Sequence, residues 1–208
     1  MMEVLITKCE EKFTNAALEE NIRLYGRKLN EARKLKLHFG SSWRSFLVSL
    51  GQKRVMANVS CDIQQPKLSR LNEGLSNMNV ELNLLAAAHF EVGRQSEVGV
   101  ALTRQLERCF KDSRCLDMEF LCIVVDKKVW NIRIDMNVIN HDGNLVDCSR
   151  IVSLSVLSHL HRSDITSIRD GVIIHSFAED LLPLKLFHQP VGVSFYMFEN
   201  GKTVMDPI

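Results

Sequence analysis

The residues whose types and spacing could do chemistry are basic side chains on one predicted helix. Arg104 and Arg108 are spaced i, i+4, so they share one helix face with their side chains roughly 6 Å apart. Arg94 lies just before the same helix. Guanidinium groups at this spacing can contact successive phosphates of a single strand, because arginine suits bidentate phosphate contacts. The alternative is that Glu97 and Glu107 pair with these arginines on an ordinary solvated surface.

A second group of basic side chains lies in the predicted loop 66–74, between two strands. Lys67 and Arg70 are expected to be mobile and exposed there. Such side chains can bind phosphates and position a nucleic-acid strand without reading its bases. The alternative is a basic surface loop that binds nothing.

The turn 140–144 precedes a further predicted helix, whose free amides and dipole would favour a phosphate. The first turn of that helix contains Leu145, Val146 and Asp147, but no arginine or lysine. The dipole favours an acidic residue at this end, and the same residue would repel a phosphate. We therefore predict a structural role for this turn.

Other chemistries lack their sequence signatures. The chain has no G-x-S-x-G sequence, no P-loop, no Rossmann glycine triad and no H-E-x-x-H sequence. None of its six cysteines forms a C-x-x-C pair, so a zinc site is not expected. The thiols are predicted to be reduced, in a cytosolic or nuclear protein, with Cys61 and Cys122 packed as small hydrophobic side chains.

Composition narrows the function classes further. The 208 residues are 46% hydrophobic and 25% charged, which is enough for a sizeable core. The formal net charge of +1 excludes a polycation that holds nucleic acid by bulk charge, so binding must come from a local basic cluster. No stretch approaches the length of about 18 apolar residues that a membrane span needs, and residues 1–13 lack the apolar segment of a signal peptide.

The elements that must position these residues are runs of strands interrupted by helices. Helices are predicted over 9–24, from an N-cap at Ser96 to about 112, and over 145–161. Strands are predicted over 33–39, 45–50, 54–63, 80–86, 120–125, 129–138, 171–175, 191–198 and 202–205. This order is typical of an α+β fold with packed layers.

For three of these strands we also predict the burial or the extent of the strand. The alternation over 33–39 predicts a half-buried strand, and the continuous apolar run over 120–125 predicts a strand covered on both faces. The last strand begins only a few residues before Ile208, so we expect it to continue in a longer protein.

Several motifs together resemble the RNase PH family, and within it the ring subunits of the eukaryotic RNA exosome. They occupy residues 54–67, 93–96, 106–109, 129–135 and 140–144. The similarity runs from about residue 9 to residue 206. It departs from the family pattern at 23–27, where relatives usually have an aspartate before the glycine.

The resemblance implies an RNase PH fold (ribosomal protein S5 domain 2-like), with two βαβ-containing halves, 1–135 and an incomplete 136–208, around one core. Active relatives shorten RNA from its 3′ end by phosphorolysis and hold phosphate with a Gly-Gly-Thr-Arg turn. The aligned residues here are Gly143, Asn144, Leu145 and Val146, so the hydroxyl and the guanidinium are both missing. Asp206 aligns with the first of two catalytic acids, and the second would lie beyond the last residue. The resemblance therefore implies a subunit that is not an enzyme.

The resemblance also implies partners and contacts. It implies a hexameric ring of RNase PH-like subunits with cap subunits, single-stranded RNA, no cofactor, no metal, and a location in nucleus, nucleolus and cytoplasm. In inactive ring relatives, arginines at the start of the first long helix and along it contact RNA, and Arg94, Arg104 and Arg108 match those positions. Lys67 and Arg70 lie on the corresponding basic loop, so the resemblance implies RNA binding by all five residues. The rival hypotheses are an active phosphorolytic exoribonuclease and a partial isoform with no exosome role. Four apolar residues could form subunit contacts, although core packing is favoured: Met118, Phe120, Val191 and Phe195.

Overall fold

The computed structural model of the protein describes residues 7–23, 25–88, 90, 96–168, 171–174, 181–198 and 201–207. The chain forms two compact units, one of Met1–Arg33 with Val193–Ile208 and the other of Lys34–Gly192. The division into halves at residue 135 stays a prediction.

The described residues contain three α-helices and twelve strands. In chain order they are α1 (Lys8–Glu19), β1 (Leu35–Phe39), β2 (Ser45–Leu50), β3 (Lys53–Gln64), β4 (Leu75–Leu82), α2 (Glu97–Glu107), a π-helical turn (Arg108–Asp112), β5 (Cys122–Val124), β6 (Lys128–Asn140), α3 (Leu145–His159), β7 (His161–Ser163), β8 (Ile165–Ile168), β9 (Gly171–Ile174), β10 (Leu181–Pro183), β11 (Phe195–Met197) and β12 (Thr203–Met205). This order confirms the predicted α+β class.

The larger unit is built on one sheet with the order β1-β2-β3-β6-β4, and β5 pairs with β6. β4 is parallel to β6, whereas the other neighbours are antiparallel. The turn between β2 and β3 contains Gly51 with φ +64, a left-handed conformation that glycine adopts without strain. Leu50 pairs with Lys53 across that turn, so β2 and β3 form a hairpin.

The helices of the larger unit cover the sheet. α2 packs against β4, α3 packs against β2 and β3, and the two helices contact each other. The sheet contributes alternate apolar residues to the core, as in β6, where Ile132, Ile134 and Met136 are buried. α2 contributes residues one turn apart, Leu102 and Leu106. The alternation along the strands and the one-turn spacing along the helix, on which the sequence predictions depend, therefore both place apolar side chains in one core.

The smaller unit contains α1 and the β11–β12 hairpin. α1 begins with a capping box, in which the Thr7 side chain accepts a hydrogen bond from the Glu10 amide at 3.3 Å. The Glu10 carboxylate in turn accepts from the Thr7 amide at 2.9 Å, and these bonds lower the pKa of Glu10. Lys202, in the hairpin loop, donates to the Glu19 carbonyl at 3.1 Å. This bond ties the hairpin to the end of α1.

Asp206 is the buried ionic centre of the smaller unit. Its side chain accepts bonds from Arg33 Nε at 2.8 Å and Arg33 Nη2 at 2.7 Å, and from Arg27 Nη1 at 3.1 Å. Its backbone carbonyl accepts from Arg23 Nη2 at 2.9 Å. Burial is the main cause that lowers the pKa of Arg23. The Asp206 side chain is 5% exposed, so these bonds replace nearly all of the hydration of its carboxylate.

The structure corrects several sequence predictions. All five residues of β1 are exposed, so the half-buried prediction is wrong: β1 is an edge strand of the sheet. β4 begins at Leu75 instead of residue 80, because its inward alternation starts at Ser76 and Met78. β5 has three half-buried residues, so the prediction of a strand covered on both faces is also wrong.

The four apolar residues considered for subunit contacts differ in burial. Met118 packs against the core of the larger unit, as predicted. Phe120, Val191 and Phe195 are exposed, so the prediction that they pack in the core is wrong.

Candidate nucleic-acid interface

A cleft of ≈ 700 Å³ lies in the larger unit, between the loop 66–74, the end of the π-helical turn and the segment 185–187. Basic side chains from these three separate segments line it: Lys67, Arg70, Lys111, Arg114 and Lys185. Acidic side chains lie among them: Glu73, Asp112, Asp117 and Glu119. The fold therefore brings five cations and four carboxylates from distant parts of the chain together at one concave surface.

The loop that carries Lys67 and Arg70 is anchored at its C-terminal end, at Gly74. Within the loop, the Arg70 amide donates to the Lys67 carbonyl at 2.9 Å. At its end, the Gly74 amide donates to the Met118 carbonyl at 2.8 Å. A Cβ on Gly74 would lie 2.4 Å from Cβ of Leu121, so only glycine allows this close approach. Lys67 and Arg70 are exposed above this fixed base.

Arg70 already has one partner in the loop. Its Nη1 lies 2.9 Å from Glu73 Oε2, and the arginine side chain is 63% exposed. An exposed pair of this kind contributes about 0–1 kcal/mol. A phosphate could therefore replace the glutamate at little cost.

The opposite wall is a strand-like pairing between segments far apart in sequence. The Phe187 amide donates to the Cys115 carbonyl at 2.8 Å, and the Asp117 amide donates to the Lys185 carbonyl at 3.4 Å. Lys185 Nζ also lies 3.3 Å from Asp117 Oδ2. This pairing places the ammonium group of Lys185 beside the cations at the end of the π-helical turn.

α2 presents the predicted arginines on its solvent side. The Ser96 side chain accepts from the Gly99 amide at 3.1 Å, which confirms the predicted N-cap. Arg104 and Arg108 are exposed. Glu107 lies 3.8 Å from Lys111. Among the described residues neither arginine forms an ion pair, so the structure does not support the predicted surface pairing with Glu97 or Glu107.

The structure brings together some of the predicted site residues. Lys67 and Arg70 line the cleft. Arg104 and Arg108 do not line it, but they precede Lys111 on one continuous helical stretch at i, i+4 and i+7. Arg94 lies outside the described residues.

Sequence reasoning missed three cations of the cleft. Lys111 could have been found, because it follows Arg104 by seven residues on the same predicted helix, which is about two α-helical turns. Arg114 follows that stretch and has φ +55, a conformation that helical periodicity does not predict. No sequence pattern indicated that Lys185 belongs to the cleft, because its position depends on a pairing across about 70 residues of sequence.

The turn before α3 has the structural role that we predict for it. Asn144 is the N-cap: its side chain accepts from the Asp147 amide at 3.5 Å, and its Nδ2 donates to Asp147 Oδ2 at 2.8 Å. The Asn144 carbonyl accepts a hydrogen bond from the ammonium group of Lys53, which is fully buried. Sequence reasoning missed this lysine, which follows a hairpin turn where exposure is usual.

The cysteines are thiols. None of the six forms a disulfide with another cysteine of the described residues. Burial raises the pKa of Cys61 and Cys122, and it raises that of Cys115 to about 11. In the part of the chain that the structure describes, no group of three or more His, Cys, Asp or Glu side chains could hold a metal ion. Nor does any helix in these described ranges have the length and apolarity to cross a membrane.

Comparison with known proteins gives consistent matches. Residues 31–161 match the RNase_PH family, described as the 3′ exoribonuclease family, domain 1. The chain is 42% identical to Exosome complex component RRP45 of Bos taurus over 100% of its own length and 48% of the cattle protein. It is 36% identical to exosome complex component rrp45 of Schizosaccharomyces pombe over 92% of its length and 66% of that protein. The chain thus spans about half the length of the mammalian relatives that it matches.

Solved structures confirm the fold. The chain is similar to one in the Archaeoglobus fulgidus exosome with RNA bound to the active site, with a TM-score of 0.80 and 26% identity, over 94% of this chain and 74% of that one. It is also similar to one in an archaeal exosome core, with a TM-score of 0.75, 24% identity and coverage of 94% and 72%. These matches confirm the RNase PH fold that the resemblance implies.

Proposed function

The chain belongs to the 3′ exoribonuclease (RNase PH) family, and from this premise we propose that it is a non-catalytic ring subunit of an RNA exosome. Its role is to complete the ring and to guide single-stranded RNA along its basic surface. The observation that carries the proposal is the cleft in which five cations from three segments meet among four carboxylates. Such a surface binds phosphates without reading bases.

The basic surface has two parts with different geometry. Arg104 and Arg108 are one α-helical turn apart, and Lys111 follows them in the π-helical turn, where it lines the cleft. Lys67 and Arg70 stand on the loop across the cleft. A single strand that follows the three helical residues would enter the cleft with its phosphates facing both parts.

The names of the relatives support the ring. They are exosome complex components, and one structural match is an exosome with RNA bound. We extend this to the present chain: its partners are other RNase PH-like subunits of a hexameric ring, the cap subunits and single-stranded RNA. Its expected location is the nucleus and nucleolus together with the cytoplasm.

The turn at α3 supports the non-catalytic part of the proposal. Phosphorolysis needs cations or donors that hold the attacking phosphate and stabilise charge in the transition state. Here Leu145 is buried and Asp147 occupies the first helical turn. The Asn144 side chain is already bonded to Asp147, and the Arg150 guanidinium at this helix end is paired with the same residue, with Nη1 3.6 Å from Asp147 Oδ1. The rival hypothesis of an active exoribonuclease would need a phosphate site elsewhere.

We expect no phosphorolysis by the purified chain. The assay incubates a single-stranded RNA with inorganic phosphate and follows the release of nucleoside diphosphates, with an active RNase PH as the positive control. Release that depends on phosphate and persists through repurification would establish the rival hypothesis.

We expect the tagged chain to copurify with other RNase PH-like proteins from its own cells, identified by mass spectrometry. A ring subunit buries surfaces of the size and apolarity of obligate interfaces, so it should not persist as a free monomer. Recovery of the chain alone, as a stable monomer, would contradict the ring assignment and would favour an isoform with no exosome role.

A further inference from the structure

A second, smaller cavity of ≈ 160 Å³ lies where β5 and β6 meet the β7–β8 region. Its walls include Phe120, Trp130, Arg162 and Asp164, together with the apolar side chains of Ile123 and Ile165. None of its lining residues belongs to the basic cleft. The mechanism proposed above does not use it.

Two residues that line this cavity each carry a buried hydrogen-bond donor for which the described part of the chain supplies no acceptor. Trp130 is 5% exposed and Arg162 is 8% exposed. Neither the indole Nε1 nor the guanidinium Nε of these residues has a hydrogen-bond partner in the described part of the chain. Buried donors are almost always paired, so an unpaired indole and an unpaired guanidinium nitrogen at one cavity indicate that something else supplies the acceptor.

The guanidinium group of Arg162 is held in place. It lies over the Phe120 ring at 4.6 Å from the centroid and 5.8 Å from the centre of the Trp130 ring. Burial is the main cause that lowers the pKa of Arg162, whereas Asp164 raises it. The guanidinium is therefore poorly hydrated, and a bound anion would replace the interactions with water that burial removes.

We propose that this cavity binds the carboxylate of an aspartate or glutamate side chain from a protein partner. The planar guanidinium fork matches a carboxylate, and the indole N–H supplies one further donor. Ile123 and Ile165, the aliphatic residues of a mainly polar lining, could contact the methylene stem of such a side chain. Phe120 is partly exposed at the rim, where a protein partner could pack against it.

The same features disfavour a phosphate of RNA. Asp164 places a carboxylate in the wall, with its Oδ1 accepting from the Ile165 amide at 2.7 Å. A phosphate of a nucleic-acid strand brings neighbouring negative charges along with it, and this carboxylate would repel them. The cavity holds roughly five molecules of water at about 30 Å³ each, which fits a side-chain terminus better than a nucleotide.

The test follows the indole N–H of Trp130 by NMR in the full chain, which contains two tryptophans. The signal of Trp43 is the internal reference. The probes are N-acetylglutamate methylamide, its glutamine counterpart and an oligouridylate. We expect the glutamate probe to shift the Trp130 signal saturably with a Kd on the order of 1 mM, since one small group binds weakly. The glutamine probe and the oligouridylate should leave it in place.

Two variants sharpen the result. Asp164→Asn removes the like charge but keeps the oxygen that bonds Ile165, so the glutamate probe should bind several-fold more tightly, which misfolding cannot produce. Arg162→Lys should weaken binding about tenfold, because lysine lacks the planar fork. Arg133→Lys, on the exposed surface of β6, is the matched control and should change nothing.

Three outcomes would overturn the proposal. A Trp130 signal that no probe moves would mean that water alone satisfies the two donors. An equal response to the glutamine probe would remove the requirement for charge. A response to the oligouridylate alone would make the cavity an RNA contact.

Discussion

Replacement of Asp206 by asparagine is expected to lower the free energy of unfolding of the smaller unit by about 3–5 kcal/mol. The wild-type carboxylate accepts two bonds from the Arg33 side chain, at 2.7 and 2.8 Å, and one from the Arg33 amide at 3.1 Å. Both residues are buried. Neutralising one partner leaves a buried guanidinium without its counter-charge, which costs more than the ion pair contributes.

Asparagine is the better variant because it preserves the backbone. Asp206 has φ +53, in the left-handed region that asparagine tolerates and alanine does not. A loss of stability in the Asp206→Asn variant therefore measures the effect of removing the negative charge of Asp206. The measurement is urea unfolding followed by circular dichroism, with hydrogen exchange in α1 and the β11–β12 hairpin to localise the loss.

Glu107→Gln is the matched control for this experiment. It removes a carboxylate from an exposed pair with Lys111, in which the side chains are 3.8 Å apart and about two-fifths exposed. Its expected cost is about 0–1 kcal/mol. If Asp206→Asn cost no more than this control, the buried ionic centre would not be what holds the hairpin to the N-terminal segment.

Replacement of both Arg104 and Arg108 by alanine is expected to weaken RNA binding by an assembled ring without unfolding it. Each phosphate contact on a single strand contributes roughly 0.7 to the slope of log K against log salt, so the loss of two contacts lowers the slope by about 1.4. Sequence preference should stay the same, because phosphate contacts carry no base information. Filter binding at several salt concentrations measures both quantities.

The corresponding double variant of the loop, Lys67→Ala with Arg70→Ala, tests the other side of the cleft. We expect a similar fall in slope, and a larger fall when the two pairs are combined. The control is Arg133→Ala, because Arg133 is exposed and paired with Asp135 at 2.9 Å but does not line the cleft. A slope that is the same in wild type, control and both double variants would remove these residues from the RNA-binding surface.

The sequence by itself determined those features that depend on a few neighbouring residues. Ser96 caps α2, Gly51 lies in the turn between β2 and β3, and Asn144 caps the start of α3 through Asp147. Each depends on a side chain and an amide within four residues, or on the φ of one residue, so local chemistry is enough. The shared helical stretch of Arg104 and Arg108 follows from the same short-range periodicity.

Only the tertiary structure decided which of these local features meet. Lys185 reaches the cleft because its segment pairs with residues 115–117, and Asp206 meets Arg33 across 173 positions of sequence. β1 became an exposed edge, although its alternation is the same as that of a covered strand, because alternation reveals two faces but not whether a layer covers either one. Arg162 and Trp130 likewise acquired their unpaired donors only where β5, β6 and β7 converge. Pairings of this kind are set by chain topology and by the burial that it permits, and no window of local sequence contains that information.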